Sequence, residues 1–236
     1  MESVKEIYQK KNFRFKDLHI YQENTSITGE HYSGKTYFAI NKIVNPLVKS
    51  QHVKVWVFDY HGLFAKSGMF AQNQIVYYLD EISEGTQCYI PETKSEENFN
   101  RFCKLCTSQY NLHVVLDELH NYMSAQRMAK ELAPLIRDVA ANQGVTYTAI
   151  WQRISEGHKA VMSNARHKFL FDFDIGDQER YTRIFGKYAD LFLEPESRKF
   201  FNEKKDGNYV YPVLDPHSFI YKDDMSKQSE VFNGGI

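Results

Sequence analysis

From Gly29 to Thr36 the chain reads GEHYSGKT, which satisfies the pattern G-x-x-x-x-G-K-[ST] at every fixed position. The two glycines permit a backbone turn that side chains would block. The amides that follow then point inward at a phosphate on a helix N-terminus. The flanks supply the setting the pattern needs. Thr25 to Thr28 predicts a short buried strand, while Phe38, Ile40, Ile43, Val44, Leu47 and Val48 recur with helical spacing. In a strand–loop–helix unit of this kind Gly29, Glu30, His31, Tyr32, Ser33, Gly34, Lys35, Thr36 and Tyr37 form a nucleotide-binding segment. Lys35 would reach the β/γ-phosphates and Thr36 would hold Mg²⁺ through its hydroxyl.

A chain of 236 residues suits one α/β domain with additions and can bury a core without disulfides. The expected division is a single nucleotide-binding domain over 1–222, with an N-terminal lead-in and a C-terminal extension, and a disordered tail over 223–236. A formal charge of -1 excludes a protein that coats nucleic acid over its whole surface, so any such contact must be local. Cys88, Cys103 and Cys106 are an odd set, and no secretory h-region or transmembrane run is present, which suggests a reducing compartment. Aromatic residues make up 15% of the chain, so most of them must pack in the core or at subunit contacts. The lysine- and aromatic-containing N-terminus is left unassigned.

Pro46 is expected to kink or end the first helix. In HVKVWVFDYHG, Val53, Val55 and Val57 alternate before Asp59, a carboxylate at a strand end. Asp59 either belongs to the Mg²⁺ shell or simply starts the turn to Gly62; both readings stay open. Gln74 to Leu79 and TQCYI predict further short strands, and SEENF opens a helix. On that helix Phe99, Phe102, Cys103, Cys106 and Tyr110 share one face, which makes the cysteines core residues rather than zinc ligands.

NLHVVLDELH then delivers Asp117 and Glu118 at the end of a buried strand. Asp117 suits Mg²⁺ held through water, and Glu118 suits activation of an attacking water. The two motifs lie about eighty residues apart in an α/β pattern, and each strengthens the reading of the other. Met128, Leu132, Leu135, Ile136 and Val139 predict an amphipathic helix beginning near Ala125 and carrying Arg127, Lys130 and Arg137. The strand Val145 to Ile150 brings Gln152 to the same sheet edge as Asp59 and Asp117. Phe169 to Phe173 reads as a strand and Asp177 to Gly186 as a helix. A charged turn at Lys204 to Gly207 leads into YVYPVL, where Pro212 argues for an edge or extended segment.

In order, GEHYSGKT, VWVFDYHG, VVLDELH and TAIWQRISEGHKAVMSNARHKFLFDF resemble the FtsK/HerA superfamily of P-loop ATPases. The last block carries Gln152, Ser155, His158, Lys159, Asn164, Ala165 and Arg166, a run similar to the one that follows the fourth strand in that superfamily. The short form without large insertions looks like the A32-like genome-packaging ATPases of tailless, membrane-containing double-stranded DNA viruses. The resemblance spans roughly Thr25 to Phe173. It implies an additional-strand (ASCE) P-loop fold with a mainly parallel central sheet flanked by helices. It also implies a homo-oligomeric ring, ATP and Mg²⁺, hydrolysis by Glu118 with Gln152, and double-stranded DNA threaded through the centre. A capsid or membrane vertex protein is the implied partner, and the host cytoplasm during assembly, with the virion, the implied location.

Two features depart from the superfamily. Where paired arginines are common, only Arg137 remains, with Ala140 in the second place. Arg137 is therefore the first choice for a trans-acting finger, ahead of Arg153 and Arg166. Glu30 puts a like charge inside the loop, which would weaken nucleotide affinity unless it faces solvent. Arg127 and Lys130 are the candidates for DNA phosphates, against the reading that they form an ordinary solvated helix face. Two other functions fit the same loop: a nucleotide or nucleoside kinase, and an assembly switch that hydrolyses slowly. The kinase would need a lid with several arginines, and the Asp117–Glu118 pair with Gln152 favours hydrolysis over transfer.

Overall fold

A computed structural model describes residues 11–12, 23–137, 143–155, 157–172, 175–186, 189, 204–205, 208–209, 219–224 and 228–233. The strands are β1 (Lys11–Asn12), β2 (Thr25–Thr28), β3 (Lys54–Phe58), β4 (Ile75–Val76), β5 (Gln87–Tyr89), β6 (Leu112–Leu116), β7 (Val145–Trp151), β8 (His167–Leu170), β9 (Lys204–Lys205), β10 (Asn208–Tyr209), β11 (Phe219–Asp223) and β12 (Gln228–Asn233). Ten of them form one sheet in the order β1-β12-β11-β8-β2-β7-β6-β3-β5-β4, and β9 and β10 pair antiparallel as a separate two-stranded sheet. From β8 to β4 every pairing is parallel. The strand that follows the phosphate loop unit in space is β7, inserted between β2 and β6, which is the additional-strand arrangement expected from the motifs. Because β2, β6 and β7 run parallel, Gly29, Asp117 and Gln152 leave the sheet at one edge, where ligands bind in open α/β sheets.

The central strands are apolar on both faces because helices cover both. Ile27, Val55, Val57, Val115, Ile150 and Phe169 face the helix that follows the loop, and Trp56, Phe58, Val114, Leu116, Tyr147 and Leu170 face the opposite layer. The first helix is built of three consecutive segments, α1 (Lys35–Phe38), a π-helical stretch (Ala39–Val44) and α2 (Asn45–Ser50). Pro46 does not end it. The proline falls in the first turn after the π stretch, where the wider spiral has already loosened the i to i−4 pattern that a proline would break. The helix closes instead at Gln51, which is left-handed at φ 55. Phe38 seats this helix on the sheet, with ring centroids 4.9, 5.2 and 4.7 Å from Phe169, Phe171 and Phe219.

After the short helix α3 (Leu63–Lys66) the chain reaches α4 (Glu96–Thr107), capped by Ser95, whose Oγ accepts from the Asn98 amide at 3.2 Å. Its buried face carries Phe99, Phe102, Cys103 and Cys106, and burial pushes both thiols well up, as suits structural cysteines. Tyr110, expected on this face, lies past the helix end and is exposed. The next helix, α5 (Leu132–Arg137), begins later than the periodicity predicts. Pro134 sets that start: its ring would clash with the carbonyl four residues back, so it fits only in a first turn. Met128 instead makes a bridge to Met123. Two helices complete the layer, α6 (Lys159–Asn164) and α7 (Gln178–Phe185).

Inside the sheet, His113 on β6 is fully buried, with Nδ1 2.8 Å from Thr146 Oγ1 and Nε2 2.8 Å from Thr148 Oγ1 on β7. Burial lowers its pKa to about 3, so it is a neutral imidazole.

The expected strand over Gln74 to Leu79 contracts to Ile75–Val76, between two short 3-10 turns. The strand expected to Phe173 ends at Leu170, and Phe173 lies outside the described residues. The largest difference is at the C-terminal end. The stretch from 223, expected as a disordered tail, contains β12, which pairs antiparallel with β11 from Phe219↔Phe232 to Asp223↔Gln228. The edge of β11 offers unpaired backbone groups, and Val231 and Phe232 have the β propensity to take them. Of the residues before β2, Lys11–Asn12, paired with β12, and Glu23–Asn24 are described. Of the expected charged turn, Lys204 and Lys205 form β9, with Lys205 opposite Asn208 of β10, and residues 206–207 lie outside the described residues. Residues 210–214 of YVYPVL and Val139 fall outside the described residues.

Candidate active site

The loop follows β2 directly. Gly29 has φ 151, and a Cβ there would lie 2.9 Å from the Asp172 amide nitrogen and 3.0 Å from the Asp172 carbonyl, so no side chain fits. The Gly29 amide donates to the Gln152 carbonyl at 3.1 Å and the Glu30 amide to the Asp172 carbonyl at 3.2 Å. The start of the loop is thereby stitched to the ends of β7 and β8. His31 and Tyr32 are exposed, Tyr32 at 90% and left-handed at φ 58, while Ser33 is buried. Gly34, left-handed at φ 95, opens the helix. An open groove of about 650 Å³ begins at Thr36 and Tyr37 and runs along the helix to Lys49, walled on its other side by residues from Leu63 to Met69.

Lys35 is only 6% exposed, and its ammonium donates to the Glu30 carbonyl at 2.6 Å. Burial pulls its pKa down to about 8, opposed by the charges of Glu118, Glu30, Asp117 and Asp172. A buried cation ringed by carboxylates is a counter-charge awaiting an anion. Glu30 does not carry a free negative charge into the loop, nor does it rely on solvent: Oε1 is 3.2 Å from the Arg153 Nε of the same chain. That pair sets a positive charge beside the one carboxylate inside the loop.

Asp117 is 1% exposed, and among the described residues no side chain donates a hydrogen bond to its carboxylate oxygens. Burial, then the charges of Glu118 and Asp59, hold its carboxyl well above the usual range. A buried carboxylate one residue past β6 suits a divalent cation, and Thr36, in the first turn after the loop, supplies a hydroxyl. Among the described residues no group of three or more His, Cys, Asp or Glu could hold a metal ion, so a cation here would need the oxygens of a nucleotide as well. Asp59, the other open candidate, is spent on the backbone. Its Oδ1 accepts from Leu63 and its Oδ2 from Ala65, both at 2.9 Å, with the Cys88 thiol 3.7 Å away. Its carboxylate thus fixes the turn through Gly62 into α3.

Glu118 stands in the left-handed region at φ 53, uncommon for a residue other than glycine. Asn121 holds it there: its amide and its Nδ2 both donate to the Glu118 carbonyl at 3.0 Å. The carboxylate is held at two points. Gln152 Nε2 donates to Oε2 at 3.2 Å, and His120 Nε2 lies 3.3 Å from the same oxygen. Gln152 Nε2 also lies 3.4 Å from His31 Nδ1 on the loop. The structure thus brings Lys35, Asp117, Glu118 and Gln152 together. Sequence reading missed His120 as a holder of Glu118, though its place two residues after a proposed base was a usable signal.

The remaining candidates part company. Arg137 ends α5, is exposed, and makes no ion pair with another described residue; its charge, after burial, helps to lower the pKa of His158. Arg153 is committed to Glu30, and Arg166 pairs with Glu23 and, at 3.0 and 3.2 Å, with Asp223. Arg127 donates to both carboxylate oxygens of Glu96 at 2.7 and 2.8 Å, and Lys130 lies 3.8 Å from Glu131. Both precede α5 rather than opening it, so their expected place at a helix start is corrected. The motif residues Ser155, His158 and Arg166 serve the scaffold. Ser155 donates to Asp177 at 2.9 Å, and His158 Nδ1 caps α6 by accepting from Ala160 at 3.2 Å.

No protein-family model matches the chain, and no curated protein does. Solved structures match at low identity. The genome-packaging NTPase B204 from Sulfolobus turreted icosahedral virus 2, in complex with ATP-gammaS, aligns with a TM-score of 0.70 and 12% identity over 92% of this chain and 100% of that one. The same NTPase with AMPPCP gives 0.68 and 12% over 89% and 96%. EssC (ATPases 2 and 3) from Geobacillus thermodenitrificans gives 0.53 and 15%, over 91% of this chain and 40% of that one. At these identities the likeness is one of fold: the chain folds as an α/β P-loop NTPase, as the resemblance read from its motifs implies.

Proposed function

We propose that the protein is an ATP-hydrolysing motor that drives a viral double-stranded DNA genome into a preformed capsid. It would act as a homo-oligomeric ring in the host cytoplasm during assembly, docked on a capsid or membrane vertex protein, and could remain in the virion. The observation that carries the reading is the convergence of Glu118, held by Gln152 and His120, with the buried Lys35 of the loop and with Asp117, whose buried carboxylate oxygens accept no side-chain hydrogen bond from a described residue. Likeness in fold to a packaging NTPase over nearly the whole of both chains supports the choice of motor.

In this reading Lys35 leaves the Glu30 carbonyl to meet the β- and γ-phosphates. Thr36 and Asp117 are the residues that would hold Mg²⁺, which supplies charge neutralisation at the phosphate oxygens when bound with nucleotide. Glu118 accepts the proton of the attacking water, with its carboxylate aimed by Gln152 and His120. Arg137, exposed at the end of α5, reaches a neighbouring subunit's phosphates.

ATPase rate measured with and without double-stranded DNA tests the proposal. Stimulation by DNA is expected. Phosphate transfer to an acceptor nucleoside or nucleotide would replace it with a kinase, and slow hydrolysis indifferent to DNA would replace it with an assembly switch.

A further inference from the structure

A second concavity, of about 540 Å³, lies between α6, α7 and β11, beyond the end of β7. Its wall carries Lys159, Lys168, Arg180, Arg183 and Lys222 against a single carboxylate, Asp224. A chain with a formal charge of -1 thus gathers five cations and one anion around one hollow. The anion is already shared. Lys168, almost fully buried, pairs with Asp224, and Lys222 lies 3.6 Å from the same carboxylate while donating to the Ile184 carbonyl at 2.7 Å. Arg183 makes only an exposed pair with Glu179 at 3.2 Å. Lys159 and Arg180 are exposed and make no ion pair with another described residue. The outer rim is therefore a surplus of positive charge above an inner layer fixed by Asp224.

The hollow is also wired to the loop. Tyr181, next to Arg180 on α7, is fully buried, with its hydroxyl 3.1 Å from Thr28 Oγ1 and accepting from the Ile154 amide at 3.2 Å. Thr28 is the last residue before the loop and donates to the Gln152 carbonyl at 2.7 Å. Through these bonds α7 is linked to the residues that place Gln152.

We propose that this hollow is a phosphate-binding site for the nucleic-acid backbone, and that Tyr181 relays its occupancy to the hydrolytic residues. The inference rests on the motor reading above. It moves the grip on DNA from Arg127 and Lys130, two exposed residues before α5, to a hollow that gathers five cations around one carboxylate.

The test uses the full chain, a fluorescent DNA duplex, and the variants Lys159→Ala and Arg180→Ala/Arg183→Ala. Basal ATPase should stay at the wild-type rate. DNA stimulation should fall at least fivefold in the double variant, and the slope of log affinity against log salt should shrink by about one for each cation removed. Tyr181→Phe should bind the duplex normally yet lose stimulation. Wild-type protein that neither binds duplex nor is stimulated by it overturns the motor reading itself. Wild-type protein that is stimulated, with both cation variants unchanged in slope and stimulation, overturns only this site. Competition by poly-glutamate that equals competition by duplex would make the hollow a dock for an acidic polypeptide and also overturn it.

Discussion

Gln152 and Glu118, thirty-four residues apart in the chain, meet through a 3.2 Å hydrogen bond at the ends of adjacent parallel strands. The amide fixes one carboxylate oxygen and leaves the other for a water. Glu118→Gln keeps the shape and removes the basicity. It should lower ATP turnover by on the order of 100-fold or more while nucleotide affinity stays near wild type. Asp117→Asn should instead raise the Mg²⁺ concentration needed for half-maximal activity. Equal loss of nucleotide binding in both variants would refute this division of labour.

His120 touches the same oxygen at 3.3 Å. As a positioning residue it should affect turnover more than binding. His120→Ala is expected to lower kcat roughly tenfold at unchanged KM, and His120→Asn, which can still donate, to recover part of the loss. A change confined to KM would remove it from this role.

Lys35 carries a pH signature. Its folded pKa of about 8 lies below the 10.5 of an ordinary lysine, so between those values the free folded protein holds less proton than the unfolded chain and its stability rises with pH. Phosphates reverse the shift by favouring the charged form. Nucleotide binding should therefore take up a proton above about pH 8, with affinity falling as pH rises, measurable by calorimetry in buffers of different ionisation enthalpy. Lys35→Ala should abolish both the uptake and the turnover. Proton release on binding would contradict the burial argument.

Arg137 is proposed to act across a subunit boundary. Arg137→Ala and Glu118→Gln rings should each be nearly inactive, whereas mixed rings should recover activity, because some interfaces then pair an intact Glu118 with an intact Arg137. If verified mixed rings stay silent, the finger is another residue; Arg153 and Arg166 would first have to leave Glu30 and Asp223.

His113 gives a stability signature of opposite position on the pH scale. Its folded pKa of about 3 lies below the 6.5 of the unfolded chain, so its contribution is complete above pH 6.5 and is lost as pH falls toward 3. Denaturant titrations should show stability falling by up to about 1.4 kcal/mol per pH unit below pH 6, and His113→Gln should flatten that slope. An identical slope in the variant would count against a buried neutral imidazole.

Much of this could be read from the chain because the phosphate loop, Asp117–Glu118 and Gln152 sit at strand ends, where short-range pattern dictates position. What escaped was long-range or polar. Arg153 neutralising Glu30 requires knowing that the end of β7 passes the loop, which only sheet order reveals. The start of α5 was set by Pro134 against the apolar period that extended it to Ala125. The strand Gln228–Asn233 has a weak pattern of its own and takes its conformation from the edge of β11.

The trio of His113, Thr146 and Thr148 has a consequence for descent. A neutral imidazole offers one donor and one acceptor, and each hydroxyl takes one of them. Exchange of His113 alone for a hydrocarbon strands two hydroxyls inside the sheet, and exchange of either threonine strands a ring nitrogen, at about 1–3 kcal/mol for each orphan. Descendants of this sequence reach an all-apolar version of these strands only through a less stable ancestor or by changing three codons together. Substitutions at these three positions, on the strands that lead to Glu118 and Gln152, are therefore coupled to one another.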